Sequence, residues 1–135
     1  SVAGPCRGRL VGRRVIVRGD SSDVLRFRAA ASAADLRVVE QKPPKKRGKK
    51  GDKRGDRVEA TVVRLLGSGD PAARGDVVVA LDRPYVLGDV RAPVKLATYG
   101  ATPGAMRALV AVLLGRSAAP GSLPVPVSGV ARTGC

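Results

Sequence analysis

The sequence predicts an α/β fold: a three-layer sandwich with a mostly parallel sheet of about five strands and helices on both faces. Three observations predict it. Short β-branched runs alternate with segments of helical periodicity, which calls for layered strands and helices. Within Asp76-Val-Val-Val-Ala-Leu-Asp82 the five residues between the aspartates are continuously apolar, as a parallel strand covered on both faces must be. The apolar set is rich in Val, which favours strands, and in Ala, which lets helices pack close. Leu, Ile, Val and Phe together supply 35 of the 135 residues, enough apolar surface for a folded core. The length suits one domain, 1–135, interrupted by a basic loop at 41–57.

The elements follow in order. Arg14-Val-Ile-Val-Arg18 reads as a strand stopped by Gly19-Asp20. Ser21 or Ser22 is placed to cap the next segment, with Asp23 favourable in its first turn. Val24, Leu25, Phe27, Ala31 and Ala34 recur at helical spacing up to Asp35. Leu36 to Glu40 forms a second strand, so strand, helix and strand compose a βαβ unit with a parallel crossover. Beyond the basic stretch, Val58 to Leu66 is strand-like and ends at Gly67-Ser-Gly-Asp70. Pro71 opens one helical turn with Ala72 and Ala73. The strand Asp76–Asp82 leads to a loop with Tyr85 and Gly88, and Val94 to Tyr99 forms the next strand. Thr102-Pro103 supplies an N-cap and a proline at the first helical position. Met106, Leu109, Val110, Leu113 and Leu114 mark that helix's buried face, and Gly115 stops it. Pro124-Val-Pro-Val127 serves at most as an edge strand, because proline cannot donate to a ladder.

The net charge is +14, which on its face suggests a polyanion binder. Half of it lies in Lys42 to Arg57, where nine cations meet two anions. Lys42, Lys45, Lys46, Arg47, Lys49, Lys50, Lys53, Arg54 and Arg57 are the candidate polyanion contacts. The stretch has no aromatic for stacking bases, so a solvated loop between two strands explains it best, ahead of incidental polyanion affinity and of a dedicated nucleic-acid function. The other reading, a binding module for nucleic acid or acidic polysaccharide, rests on this stretch alone.

The remaining chemistry is sparse. No apolar run reaches the length of a membrane helix, so no membrane span is expected. The chain has no His, which removes histidine bases, histidine metal ligands and a Ser-His-Asp triad. Cys6 and Cys135 match no zinc or redox spacing, which leaves them as a candidate disulfide; a bridge implies an oxidising compartment. Arg-Gly-Asp occurs at Arg18–Asp20, Arg54–Asp56 and Arg74–Asp76, each where a turn is wanted. Gly67-Ser-Gly-Asp-Pro71 lacks the full spacing of a phosphate loop. Asp70, Asp76, Asp82 and Asp89 fall near strand ends, and Glu40 and Glu59 flank the basic stretch. No spacing singles out a catalytic pair, so no catalytic, metal or cofactor residue is assigned.

The second half carries a resemblance. Asp76–Asp82, Ala97-Thr-Tyr-Gly100, Thr102-Pro-Gly-Ala-Met-Arg-Ala-Leu-Val110, Leu113-Leu-Gly-Arg116 and Pro120-Gly-Ser-Leu-Pro-Val125 stand in a familiar order. Together with Val2-Ala-Gly-Pro-Cys6 and Leu10-Val-Gly12, this order resembles the C-terminal α/β sandwich domain of glycoside hydrolase family 3. It is most similar to the actinobacterial β-N-acetylhexosaminidase branch. The resemblance implies a non-catalytic domain of a secreted or envelope-attached enzyme. Its partner would be a catalytic TIM barrel, upstream or in trans, and amino-sugar substrate would be bound through that barrel. In such enzymes the nucleophilic Asp lies in the barrel. The acid/base is a His-Asp dyad on a barrel loop or, in other branches, a Glu of the second domain. With no His here, and with Glu40 and Glu59 outside the matching segments, no catalytic position carries over. The isolated chain is expected to be inactive.

Overall fold

The computed structural model describes residues 8–39, 60–67, 69–118 and 126–127. Its centre is a five-stranded, all-parallel sheet. The strands are β1 (Arg14–Arg18), β2 (Arg37–Val38), β3 (Thr61–Leu66), β4 (Val77–Ala80) and β5 (Val94–Ala97). They lie in the order β2-β1-β3-β4-β5. Helix α1 (Ser21–Ala33) joins β1 to β2, a 3-10 helix (Pro84–Asp89) joins β4 to β5, and α2 (Pro103–Leu113) follows β5.

Alternation along the strands sorts side chains onto two faces. One face carries Val15, Val63, Leu65, Val77, Val79 and Leu96. Both α-helices pack there, α1 through Phe27, Ala30 and Ala31, and α2 through Met106, Leu109, Val110 and Leu113. The other face carries Leu66, Val78 and Ala80 under Leu87, Val90 and Val127. Among the described residues, the cover expected on both faces consists of two α-helices on one side and a 3-10 helix on the other. All four residues of β4 are buried, as the unbroken apolar run requires of a strand between two layers. Each of its three valines contributes on the order of 1.5–3 kcal/mol by leaving water.

Local chemistry sets the helix ends. The N-cap of α1 is Asp20, not the expected Ser21 or Ser22: its carboxylate accepts from the Ser22 N–H at 3.2 Å and the Ser22 hydroxyl at 2.7 Å. Asp20 has the extended conformation an N-cap needs, whereas Ser21 and Ser22 are already helical. At the other end Asp35 adopts φ 64°. Its N–H meets the Ser32 carbonyl and that of Leu36 meets the Ala31 carbonyl, a Schellman closure sealed by the buried Leu36. In α2 the Thr102 hydroxyl accepts from the Ala105 N–H at 3.1 Å, and Pro103 opens the first turn, as the sequence predicts. That helix ends on Gly115 at φ 80°; a Cβ there would meet the Gly8 carbonyl carbon at 2.7 Å.

Other expectations differ in detail. Leu25, placed on the buried side by spacing, is 68 % exposed, because the inward face of α1 is set by Phe27, Ala30 and Ala31. Pro71–Ala73 forms no helical turn; Ala73 instead packs against the core under the 3-10 helix. The loop with Tyr85 and Gly88 is that 3-10 helix, opened by Pro84.

Candidate functional site

The sheet has one topological switch point. From β1 the chain moves outward to β2, and the later strands β3, β4 and β5 build in the other direction. Open α/β sheets bind ligands in the crevice outside the carboxyl ends at such a point. Here it lies between the loops after β1 and β3. Gly19, at φ 154°, lets the first loop press against β3: a Cβ there would stand 2.7 Å from the Leu65 carbonyl oxygen.

Three carboxylates flank the crevice, and each is already engaged. Asp20 caps α1, and its bonds to Ser22 hold its carboxyl below the usual range. Asp70 accepts from the Gly67 N–H at 2.7 Å while its own N–H meets the Gly67 carbonyl at 3.2 Å. Asp23 pairs with Arg26 at 3.2 Å. Burial raises the Asp23 carboxyl, as do the charges of Asp20 and Asp70, while Arg26 opposes them. The amides that a phosphate would use at the Gly67–Asp70 turn and at the first turn of α1 thus already face the chain's own carboxylates. Among the described residues, carboxylates occupy the positions at this crevice that a phosphate would need. Among the described residues no group of three or more His, Cys, Asp or Glu is placed to hold a metal.

The end of β5 adds two features to the same edge. The Thr98 hydroxyl donates to the Gly100 carbonyl at 2.8 Å. Tyr99 has φ 59° and is 46 % exposed, with its phenol pushed up by partial burial. A non-glycine residue at positive φ is uncommon and tends to mark a functional site. A shallow hollow lined by Gly8, Gly115, Arg116, Ser117 and Ala118 lies beyond the end of α2, away from this edge.

The candidate polyanion contacts from Lys42 to Arg57, the candidate disulfide Cys6 and Cys135, and Glu40 and Glu59 lie outside the described residues. The four aspartates singled out by sequence do not converge. Asp70 and Asp82 follow strands at the carboxyl edge, whereas Asp76 precedes β4 and holds the Val62 N–H at 2.8 Å. Asp89 closes the 3-10 helix. The described Arg-Gly-Asp triplets are structural: Arg18–Asp20 turns from β1 into α1, and Arg74–Asp76 leads into β4. Sequence reasoning missed that Asp20 and Asp23 share an edge with Asp70, which follows only from the β1–β3 pairing. It also missed an arginine row on the second face of the sheet, although Arg14, Ile16 and Arg18 alternate at strand period.

No protein-family model matches this chain, and no curated protein does. Among solved structures the chain is similar to a fungal multi-domain GH3 β-N-acetylglucosaminidase, described as having a unique GCN5-related glucosamine N-acetyltransferase region. The TM-score is 0.60 at 16 % identity, over 99 % of this chain and 18 % of that one. A likeness at that identity shows the α/β fold. This chain spans about a fifth of the length of the structure it resembles.

Proposed function

We propose that this chain is a non-catalytic α/β domain of a secreted family 3 glycoside hydrolase. The parent enzyme would release terminal β-N-acetylglucosaminyl units through a catalytic barrel that this chain does not contain. One observation carries the reading: the whole chain matches the fold of a fraction of a multi-domain GH3 β-N-acetylglucosaminidase. The crevice agrees with it. Glycoside hydrolysis uses two carboxylates facing one bond, and Asp20, Asp23 and Asp70 are each engaged in capping, turn closure or ion pairing. The domain's part is to pack against the barrel, with the carboxyl edge and Tyr99 walling the substrate cleft. An extracellular or envelope location and a Cys6–Cys135 bridge belong to the same proposal.

Intact-mass analysis of the native product, paired with turnover of a chromogenic N-acetyl-β-glucosaminide, tests it. The expected result is a longer active polypeptide, or a complex with a barrel protein, and no turnover by the isolated 135 residues. A native 135-residue product with no barrel partner overturns the reading, and so does turnover by the isolated chain.

A further inference from the structure

The chain places its few aromatic side chains unusually. It has one Phe, two Tyr and no Trp. Phe27 is fully buried between α1 and the sheet, whereas Tyr85 is 55 % and Tyr99 46 % exposed. Aromatic rings are the largest apolar side chains a core can bury, so two tyrosines left in water call for a reason outside packing. Both stand at the carboxyl ends of adjacent strands. The β4–β5 register pairs Ala80 with Ala97, and the Thr98 N–H extends the ladder to the Ala80 carbonyl at 3.0 Å. Tyr99 follows Thr98 directly, and Tyr85 lies in the first turn of the 3-10 helix after β4. The connections that meet at this edge, β4 to β5 and β5 to α2, are described in full.

The backbone at Tyr99 is a second, independent observation. Among the described residues, Asp35 and Tyr99 are the two that take positive φ without being glycine. Asp35 closes α1, and aspartate tolerates the left-handed region through its short polar side chain. Tyr99 closes no helix, since it lies between β5 and the Thr102 cap of α2. A bulky residue at such a φ is an outlier, and Gly100 beside it does not take the positive φ. The Thr98 hydroxyl, donating to the Gly100 carbonyl, spans the kink and holds it. Glycine at 99 would serve this turn with less strain, so the fold alone does not account for a tyrosine. Neither phenol has a hydrogen-bond partner among the described residues.

We propose that Tyr99 and Tyr85 form a sugar-binding platform, with the Tyr99 ring stacked on the C–H face of a pyranose and the phenols bonded to its hydroxyl or acetamido groups. Open α/β sheets bind ligands outside the carboxyl ends of their strands. A tyrosine there offers an apolar ring with a polar tip, which matches a ligand that is itself apolar on its face and polar at its rim. A nucleotide base would stack on the same rings, but its phosphates would meet the carboxylates of Asp20 and Asp70, which already hold the amides of this edge. The exposed residues next along the chain, Asp82, Arg83, Asp89 and Thr102, are polar, whereas the core of a protein interface is depleted of charge. The identity of the sugar as an N-acetylglucosaminyl unit rests on the glycosidase reading; the platform rests on the two tyrosines.

The test titrates chitotriose into the full chain carrying isotope-labelled tyrosine rings and follows the ring signals by nuclear magnetic resonance. Cellotriose and adenosine monophosphate run in parallel. Both rings are expected to shift with chitotriose and neither with the nucleotide. Tyr99→Asn, read through the Tyr85 signal, is expected to weaken binding at least tenfold while Tm holds or rises, because the strained φ is relieved. Tyr99→Phe keeps the ring and is expected to stay within threefold of the parent. Tyr85→Ser is expected to lose several-fold, and decides the matter if the asparagine variant fails to fold by circular dichroism. No ring shift with either sugar overturns the platform. So does unchanged affinity in Tyr99→Asn, an equal loss in Tyr99→Phe, a larger response to the nucleotide, or ring shifts on diluting the chain alone, the sign of a protein contact. Shifts with cellotriose but not with chitotriose uphold the platform and count against the amino-sugar reading, so the two fail separately.

Discussion

Gly19→Ala tests the close approach that shapes the crevice between β1 and β3. The added Cβ would stand 2.7 Å from the Leu65 carbonyl oxygen and 3.0 Å from the Leu65 Cβ, the latter at least ~0.5 Å inside the optimal carbon–carbon separation. Both atoms belong to an interior strand hydrogen-bonded on both sides, so neither swings away as a surface side chain would. Overpacking costs about 1–3 kcal/mol, and holding alanine at φ 154° adds about 1–3 kcal/mol. The stiffer unfolded chain returns about 0.4–1 kcal/mol. The net loss is about 1–5.6 kcal/mol, centred on about 3 kcal/mol, or roughly 4–20 °C in Tm for a chain of this size. Gly8→Ala is the control, because Gly8 also has positive φ (+86°) but nothing within 4 Å of its Cβ position. It is expected to cost only about 1 kcal/mol. Urea denaturation followed by far-ultraviolet circular dichroism suits a chain without tryptophan. A Gly19→Ala loss within ~0.5 kcal/mol of the Gly8→Ala loss would refute the packing of the β1 loop on β3.

Two further outcomes follow from the same edge. The folded-state pKa of Asp23 is raised, so the folded chain binds its proton more readily, and this residue's contribution declines as pH rises through the window just above the normal carboxylate range. Asp23→Asn is therefore expected to match or exceed the parent's Tm at pH 7, since the partly exposed pair with Arg26 contributes little; the difference should vanish near pH 3, and a clear loss at pH 7 contradicts the sign. Thr102→Ala removes the cap of α2 and should cost about 1 kcal/mol in urea titration; Thr102→Ser should recover most of it, and equal losses in both variants would show that the hydroxyl bond does not hold the helix end.

Where a residue's local chemistry decided its place, the sequence was readable. The strand from Arg14 to Arg18, the Thr102-Pro103 start of α2 and its buried Met106, Leu109, Val110 and Leu113 all stand as their spacing indicates. The cap of α1 was misplaced by one or two positions, because Asp20, Ser21 and Ser22 are all good caps and only the turn at Gly19 chooses among them. Leu25 was misplaced because a helix rich in alanine has no sharp apolar stripe, and one Phe outweighs one Leu in orienting it. The crevice was less legible. That Asp20, Asp23 and Asp70 share one edge depends on β3 pairing with β1 rather than β2, which no local pattern specifies. The arginine row had a local signal, the alternation of Arg14, Ile16 and Arg18, but its continuation in Arg64 comes from a distant strand.

The parallel ladder also fixes an order in time. None of its four pairings is closed by a hairpin, so every pairing waits for a longer loop to close. The interior strand β1 is made first and gains β3 only after the basic stretch has been synthesised. The helix-covered face, with Phe27 beneath it, stays open until α2 docks and the Leu10 N–H reaches the Leu113 carbonyl at 2.8 Å. High separation between partners slows folding, and until α2 arrives the valines of β4 have no helical lid. The short outer strands, two residues in β2 and four in β5, offer little template for edge-to-edge addition in the finished molecule. Aggregation is thus a hazard of the nascent chain rather than of the folded one, and yield should respond to how quickly the last helix is delivered.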